Sequence, residues 1–290
     1  MHTRRPYHRN ILEIAMNTTL QRAPVFFISH GAPTFALEPG PLGAHLKALG
    51  KQLPGVKAVL VVSPHWQTRA LQVLTTPKPE TVHDFGGFPA ALYQLQYPAP
   101  GQPELALEAL RLLTQAGWPV TVDAHRGLDH GAWVPLFHLL PQANIPVFQV
   151  SMPHRLDTAG ALALGRALAP LRDQGVLIVG SGSLTHNLYD IQPPATPAVA
   201  YAVEFAHWIR KAVHRAEVDA LLDYRRLAPH AERAHPTQEH FLPLLVALGA
   251  SVEGEAAQVI ADDIIYGVLS MESYVWGMNP VAAPVPEVAA

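Results

Sequence analysis

Sixteen histidines are spread through this 290-residue chain, and several share one local context. His30 follows the apolar run Val25–Ser29, and His65 follows Val59–Ser63 by way of Pro64. His130 stands in Gly127-Leu128-Asp129-His130-Gly131, and His186 comes soon after the run Leu177–Val179 and a Gly/Ser-rich stretch. A buried strand that ends in a histidine delivers an imidazole to the edge of a sheet, where open α/β sheets build their sites. Imidazole is a good ligand for zinc and iron, and it exchanges protons near neutral pH. Repeated four times, the pattern points to a metal site with further histidines for proton transfer. For any one of these residues a hydrogen-bonded structural histidine is the competing reading. Spacing does not decide between them, because none has the short separation of an HExxH or HxH motif.

Composition removes several other chemistries. With no cysteine, the chain has no disulfide, no thiolate metal site and no thiol nucleophile. No Gly-x-Ser-x-Gly elbow is present, which disfavours a serine hydrolase. Gly180-Ser181-Gly182-Ser183 is a weak phosphate cradle, since no Gly-Lys-Ser/Thr follows it. A net charge of −3 gives no reason to expect nucleic acid or an anionic membrane as partner. No apolar run approaches the roughly 18 residues of a membrane span. The basic start Met1–Arg9 is followed by an apolar stretch, Ile11–Met16, too short for a signal peptide core. A cytoplasmic location is the expectation.

The elements that must position the histidines can be read from periodicity. Hydrophobic residues make up 49% of the chain, enough for a substantial core. Short continuous apolar runs predict buried strands at Val25–Ser29, Ala58–Ser63, Val120–Asp123, Pro146–Ser151 and Val176–Gly180, with Ile264–Met271 as a final strand. Helical patterns fall between them at Gly43–Lys51, Pro103–Ala116, Thr158–Asp173 and Ala198–Ala216. This alternation predicts one α/β domain with a mostly parallel central sheet flanked by helices. The domain is expected over residues 24–275, after a flexible extension (1–23) and before a flexible Pro/Ala-rich tail (276–290). A further helix is expected to start at Thr237 as N-cap, with His240 in its first turn. On that helix Glu239 would be turned about 100° away from His240. The loop His83-Asp84-Phe85-Gly86-Gly87-Phe88-Pro89 is either a substrate wall or a packed turn. Tyr93–Pro98 alternates like an edge strand or a lid.

Taken in order, these segments resemble the class III extradiol ring-cleavage dioxygenases of the LigB superfamily, in the 4,5-DOPA dioxygenase-like branch. The matching pieces begin with Ser29-His30-Gly31-Ala32-Pro33, Ser63-Pro64-His65-Trp66, His83–Pro89 and Tyr97-Pro98-Ala99-Pro100-Gly101. They continue with Gly127–Trp133, His186-Asn187-Leu188, His235–Leu244 and Leu269-Ser270-Met271. The resemblance therefore runs from about Pro24 to Met271.

It implies that His30, His65 and His240 bind a divalent metal, with His235 as the competing third ligand. It makes His186 the catalytic acid/base and His130 a second catalytic histidine that orients substrate or oxygen. Asp84, Phe88, Trp133 and Tyr93 are expected to bind substrate. Fe(II) is the expected cofactor, although an all-histidine shell also accepts zinc. The expected partners are a small aromatic diol and O2, in a monomer or small homo-oligomer. A zinc hydrolase on the same ligands, or a non-catalytic relative on the same fold, are the alternatives.

Overall fold

The computed structural model describes residues 22–53 and 55–278. Most of the expected N-terminal extension and most of the expected tail lie outside these residues, while Arg22 pairs with Asp173 and Ala23 is buried against Arg172. Four long apolar runs form the middle of one eight-stranded sheet: Val25–Ser29 (β1), Ala58–Thr68 (β2), Val147–Pro153 (β5) and Val176–Gly182 (β6). Between β2 and β5 in sequence come two short strands, Leu71–Leu74 (β3) and Val120–Asp123 (β4). Gln258–Ala261 (β7), a small separate hairpin of Ile264–Ile265 (β8) and Leu269–Ser270 (β9), and Ser273–Trp276 (β10) complete the strands. The sheet order is β4-β3-β5-β2-β6-β1-β10-β7.

The central strands β5, β2, β6 and β1 are parallel, so their carboxyl ends meet at one edge. The outer β3/β5, β1/β10 and β10/β7 pairings are antiparallel. Strands covered on both faces need no polar alternation, which is why these runs are continuously apolar. Side chains alternate between two cores. Val25, Phe27, Leu60 and Ile178 point to one, and Phe26, Ile28, Val61 and Val179 to the other.

Helices cover both faces. Gly40–Gly50 (α1) and His130–Leu139 (α3) pack on the Phe26 side. Pro103–Gln115 (α2), Thr158–Leu168 (α4) and Ala200–His214 (α5) pack on the Phe27 side. Three short turns, Val218–Leu222 (α6), Tyr224–Leu227 (α7) and Ala231–Ala234 (α8), lead to Leu242–Ala250 (α9), which also packs on the Phe27 side.

Several expectations change. β2 continues past Ser63, and its register with β5 shifts between Val62 and Gln67. Pro64 falls inside that bulge, where a missing ladder donor is tolerated and a side chain can be re-aimed. His65 is therefore presented by the strand itself. Ile264–Met271 is not one strand. Tyr266 and Gly267 take left-handed φ values of 50° and 70°, which turn the run into the β8/β9 hairpin. Tyr93 lies in a short 3-10 turn, Ala90–Gln94, so that stretch is no edge strand. Trp276, placed with the tail by sequence, is a buried member of β10 opposite Val25.

The helix expected from Thr237 starts only at Leu242. The Thr237 hydroxyl is bonded to the Glu239 carboxylate, 3.0 Å away, and caps nothing. His240 thus lies in the turn before α9. Two glycines of β6 let that turn come in close: a Cβ on Gly180 would sit 2.1 Å from the Pro243 carbonyl oxygen, and one on Gly182 would sit 2.3 Å from that of His240.

Candidate active site and metal centre

Five of the chain's histidines converge at the carboxyl edge of the parallel strands. His30 follows β1, His65 rides the β2 bulge, and His130 opens α3. His186 follows β6, and His240 precedes α9. The ring centres of His30, His65 and His240 are 5.1–5.4 Å apart. His130 lies 3.9 Å from the His65 ring, and His186 stacks on His240 at 3.5 Å with an 8° tilt. The ring nitrogens of His30, His65 and His130 lie within 4.8 Å of one another, as do the ligand atoms of His186, Glu239 and His240. These two trios are adjoining halves of one cluster.

Hydrogen bonds fix which nitrogen faces inward in His30, His240 and His130. The Ser181 hydroxyl donates to the Gly131 carbonyl, so at 2.9 Å it must accept from His30 Nδ1. That leaves His30 Nε2 as a bare lone pair, 3.1 Å from His65 Nε2. A pair of this kind either shares a proton or shares an ion. Two ring nitrogens about 2.1 Å from one metal would stand at such a separation. His240 Nδ1 donates to Glu239 Oε1 at 3.1 Å, while its Nε2 is buried without any partner. His130 Nδ1 donates to Asp84 Oδ1 at 3.0 Å, and the same oxygen accepts the His130 backbone N–H at 2.9 Å.

The electrostatics suit ligands. Burial, followed by the neighbouring imidazoles, holds His30 and His240 well below the usual histidine range. Burial and then His130 bring His65 down to about 4. Burial also lowers His186, with His130 adding to the effect and Glu239 opposing it. Neutral rings keep their lone pairs, which metal binding requires. Burial would raise Asp84, but its bond to His130 and that ring's charge outweigh burial and bring it down to about 2. The donor set thus fits a divalent ion: bare inward nitrogens, outward nitrogens held by Ser181 and Glu239, and one buried Nε2 with no partner.

His235, the competing third ligand, is oriented otherwise. Its Nε2 donates to the Leu184 carbonyl at 2.8 Å, and Phe205, Tyr224 and Phe241 surround its ring. Glu239 is also not turned away from His240, because the two share a turn rather than a helix.

The cluster forms the floor of a cavity of about 630 Å³. Phe85 and Phe88 line one side. Trp133 and Tyr93 stand behind that wall: Trp133 Nε1 donates to the Val82 carbonyl at 3.0 Å, and the Tyr93 ring packs on Phe85 at 5.2 Å. Asp84 holds His130 instead of lining the cavity. Leu188, Ile191, Tyr266 and Leu269 also line the cavity. Sequence reasoning set Leu188 and Leu269 in matching segments but gave none of the four a role, because apolar side chains carry no chemistry that spacing singles out. Ser181 escaped it as well, although a serine at the end of a strand beside histidine-bearing loops was an available signal.

A buried network supports the site from below. Asp129 accepts from Ser63 Oγ at 2.8 Å, Gln149 Nε2 at 2.9 Å and the Ala132 N–H at 3.2 Å, so it caps α3 and ties it to β2. Gly131 permits this approach, since a Cβ there would lie 2.3 Å from Ser63 Oγ and 2.9 Å from the His65 ring.

Known proteins share this chain's pattern. Residues 25–275 match the family described as the catalytic LigB subunit of aromatic ring-opening dioxygenase. A Beta vulgaris protein named 4,5-DOPA dioxygenase extradiol is 42% identical over 253 residues, covering 86% of this chain and 94% of its own length. An Escherichia coli K12 protein of the same name is 38% identical, covering 91% and 97%. The crystal structure of an uncharacterized E. coli K12 protein superposes with a TM-score of 0.73 at 32% identity, covering 88% of this chain and 99% of that one. With its family match spanning every element that carries a histidine of the cluster, the chain belongs to the LigB family of aromatic ring-opening dioxygenases.

Proposed function

We propose that this protein is an Fe(II)-dependent extradiol dioxygenase that opens a catechol-type ring with O2 to give a muconic semialdehyde. One observation carries the metal assignment. His240 Nε2 is buried without a partner beside the His30/His65 Nε2 pair, 3.1 Å apart. His30, His65 and His240 would hold the ion. When bound, the ion supplies Lewis acidity that lowers the pKa of the diol hydroxyls and brings diol and O2 together.

The chain's own groups do the rest. His186, kept neutral by burial, takes a proton from a catechol hydroxyl. It returns that proton to oxygen as the O–O bond breaks, a contribution of about 100- to 10,000-fold. His130, fixed by Asp84, presents its other nitrogen to the cavity and orients the diol or oxygen. Phe85 and Phe88 pack against the ring and exclude water. Both oxygen atoms enter the product, so no external reductant is consumed. The names of the relatives, extradiol dioxygenases over most of this chain's length, support the same reaction.

The test is oxygen uptake by anaerobically Fe(II)-loaded protein offered charged and uncharged catechols. Uptake matched by a yellow semialdehyde product is expected. No uptake across the panel, with iron shown to be bound, would overturn the assignment in favour of zinc-dependent hydrolysis.

A further inference from the structure

The cavity that holds the histidines also states what kind of diol it accepts, given the ring-opening reading above. At about 630 Å³ it is larger than a bare catechol needs and falls in the range of pockets for drug-sized ligands. The space beyond the histidine floor is walled by Pro33, Phe85, Phe88, Leu188, Ile191 and Leu269, with Tyr266 beside them, its hydroxyl bonded to Thr34 at 3.2 Å. Among the described residues no Lys, Arg, Asp or Glu lines it.

Charged groups around the histidines have partners of their own. Asp84 is bonded to His130, and Glu239 to His240. Arg126 Nη2 donates to the His65 carbonyl oxygen at 3.0 Å and its guanidinium lies over the Trp66 ring, while its Nε is buried without a partner. Arg233 is paired with Asp190 at 2.8 Å and lies over the Tyr201 ring. Beyond the ion proposed for the histidine floor, a carboxylate or ammonium carried into this space would lose water and find no counter-charge on the walls.

A second observation points the same way. Seven large apolar side chains are exposed among the described residues, and three of them, Leu188, Tyr189 and Ile191, lie within four consecutive positions. Leu188 and Ile191 also line the cavity, and Tyr189 is 92% exposed, so the apolar wall continues outward over the rim.

We propose that this cavity selects an uncharged catechol whose ring bears an apolar alkyl or aryl substituent, seated against Leu188, Ile191 and Leu269 and reaching the Leu188–Ile191 rim. The substrate class therefore differs from the charged amino acid in the relatives' names.

A matched pair isolates the charge: 3-(3,4-dihydroxyphenyl)propionic acid and its methyl ester. Two readouts are needed. One is kcat/KM by oxygen uptake with Fe(II)-loaded protein. The other is the Kd for protein loaded with zinc, which does not turn over, measured by calorimetry. The ester is expected to be favoured ~10-fold or more in both, with the difference in KM rather than kcat. Leu188→Lys, at a position exposed enough to accept the change, should narrow or reverse the preference. Equal or tighter binding of the acid would overturn the proposal. If neither compound is turned over, the ring-opening reading fails, while the zinc-protein Kd values still decide the question of charge.

Discussion

Two buried polar regions of this molecule are built in opposite ways. Arg172 is wholly buried, and each of its three side-chain nitrogens is engaged. Nε donates to the Ala23 carbonyl at 2.6 Å, Nη1 donates to Ala250 O and Glu255 Oε2 at 2.9 Å, and Nη2 donates to Glu255 Oε1 at 2.6 Å. The histidine cluster, with His30, His130 and His240 buried and His65 and His186 half-buried, is unfinished: like groups face one another, and His240 Nε2 has no partner. A finished buried network stabilises the fold it sits in. An unfinished one costs stability and is kept where a ligand completes it.

The hardest way to break the contrast is at its finished side. Arg172→Ala leaves Glu255 and two carbonyls unpaired and is expected to cost about 3–5 kcal/mol in denaturant unfolding, with the metal content of the folded fraction unchanged. A loss below about 1 kcal/mol would mean that Arg172 is no more structural than an exposed ion pair. On the unfinished side, His186→Ala should retain metal by elemental analysis and lose about 100- to 10,000-fold in kcat. Loss of metal there would move His186 into the ligand set. Ser181→Ala removes the acceptor that fixes His30, and metal affinity should fall by about 10- to 100-fold. Unchanged affinity would show that the Ser181 contact does not set the ring's tautomer.

The smallest effect is on pH. His235, lowered to about 3 by burial against the pull of its bond to Leu184, stays neutral in the fold while the unfolded chain protonates it near the ordinary histidine value of 6.5. The unfolded state then binds one more proton, so stability falls as pH drops from 6.5 towards about 3. His235→Gln keeps a donor for the Leu184 carbonyl and should flatten that slope by about one proton. An identical slope in wild type and variant would remove His235 from the acid response.

Much of this architecture was legible because physics wrote it locally. The strands β1, β2 and β6 begin as continuous apolar runs, and their carboxyl ends carry or precede His30, His65 and His186. What stayed hidden depends on distant partners. Leu71–Leu74 is too short to announce a strand and becomes one by pairing with β4 and β5. Glu239 was assigned to a helical face, but Gly180 and Gly182 draw its segment onto β6 as a turn, which turns its carboxylate to His240. Asp84, Trp133 and Tyr93 were all read as substrate contacts. Asp84 instead orients His130, and the two aromatic residues support Phe85 from behind, a distinction of depth that sequence does not encode.

The central claim is that the cluster is unfinished because a metal completes it, and two neighbouring histidines test it. Fe(II) or Zn(II) would be titrated anaerobically into wild type, His240→Ala and His235→Gln, with bound metal counted per folded chain. One ion per chain in wild type and in His235→Gln, and loss of that ion in His240→Ala, is the predicted result. Full occupancy in His240→Ala, or its loss in His235→Gln, would contradict the account and place the third ligand elsewhere.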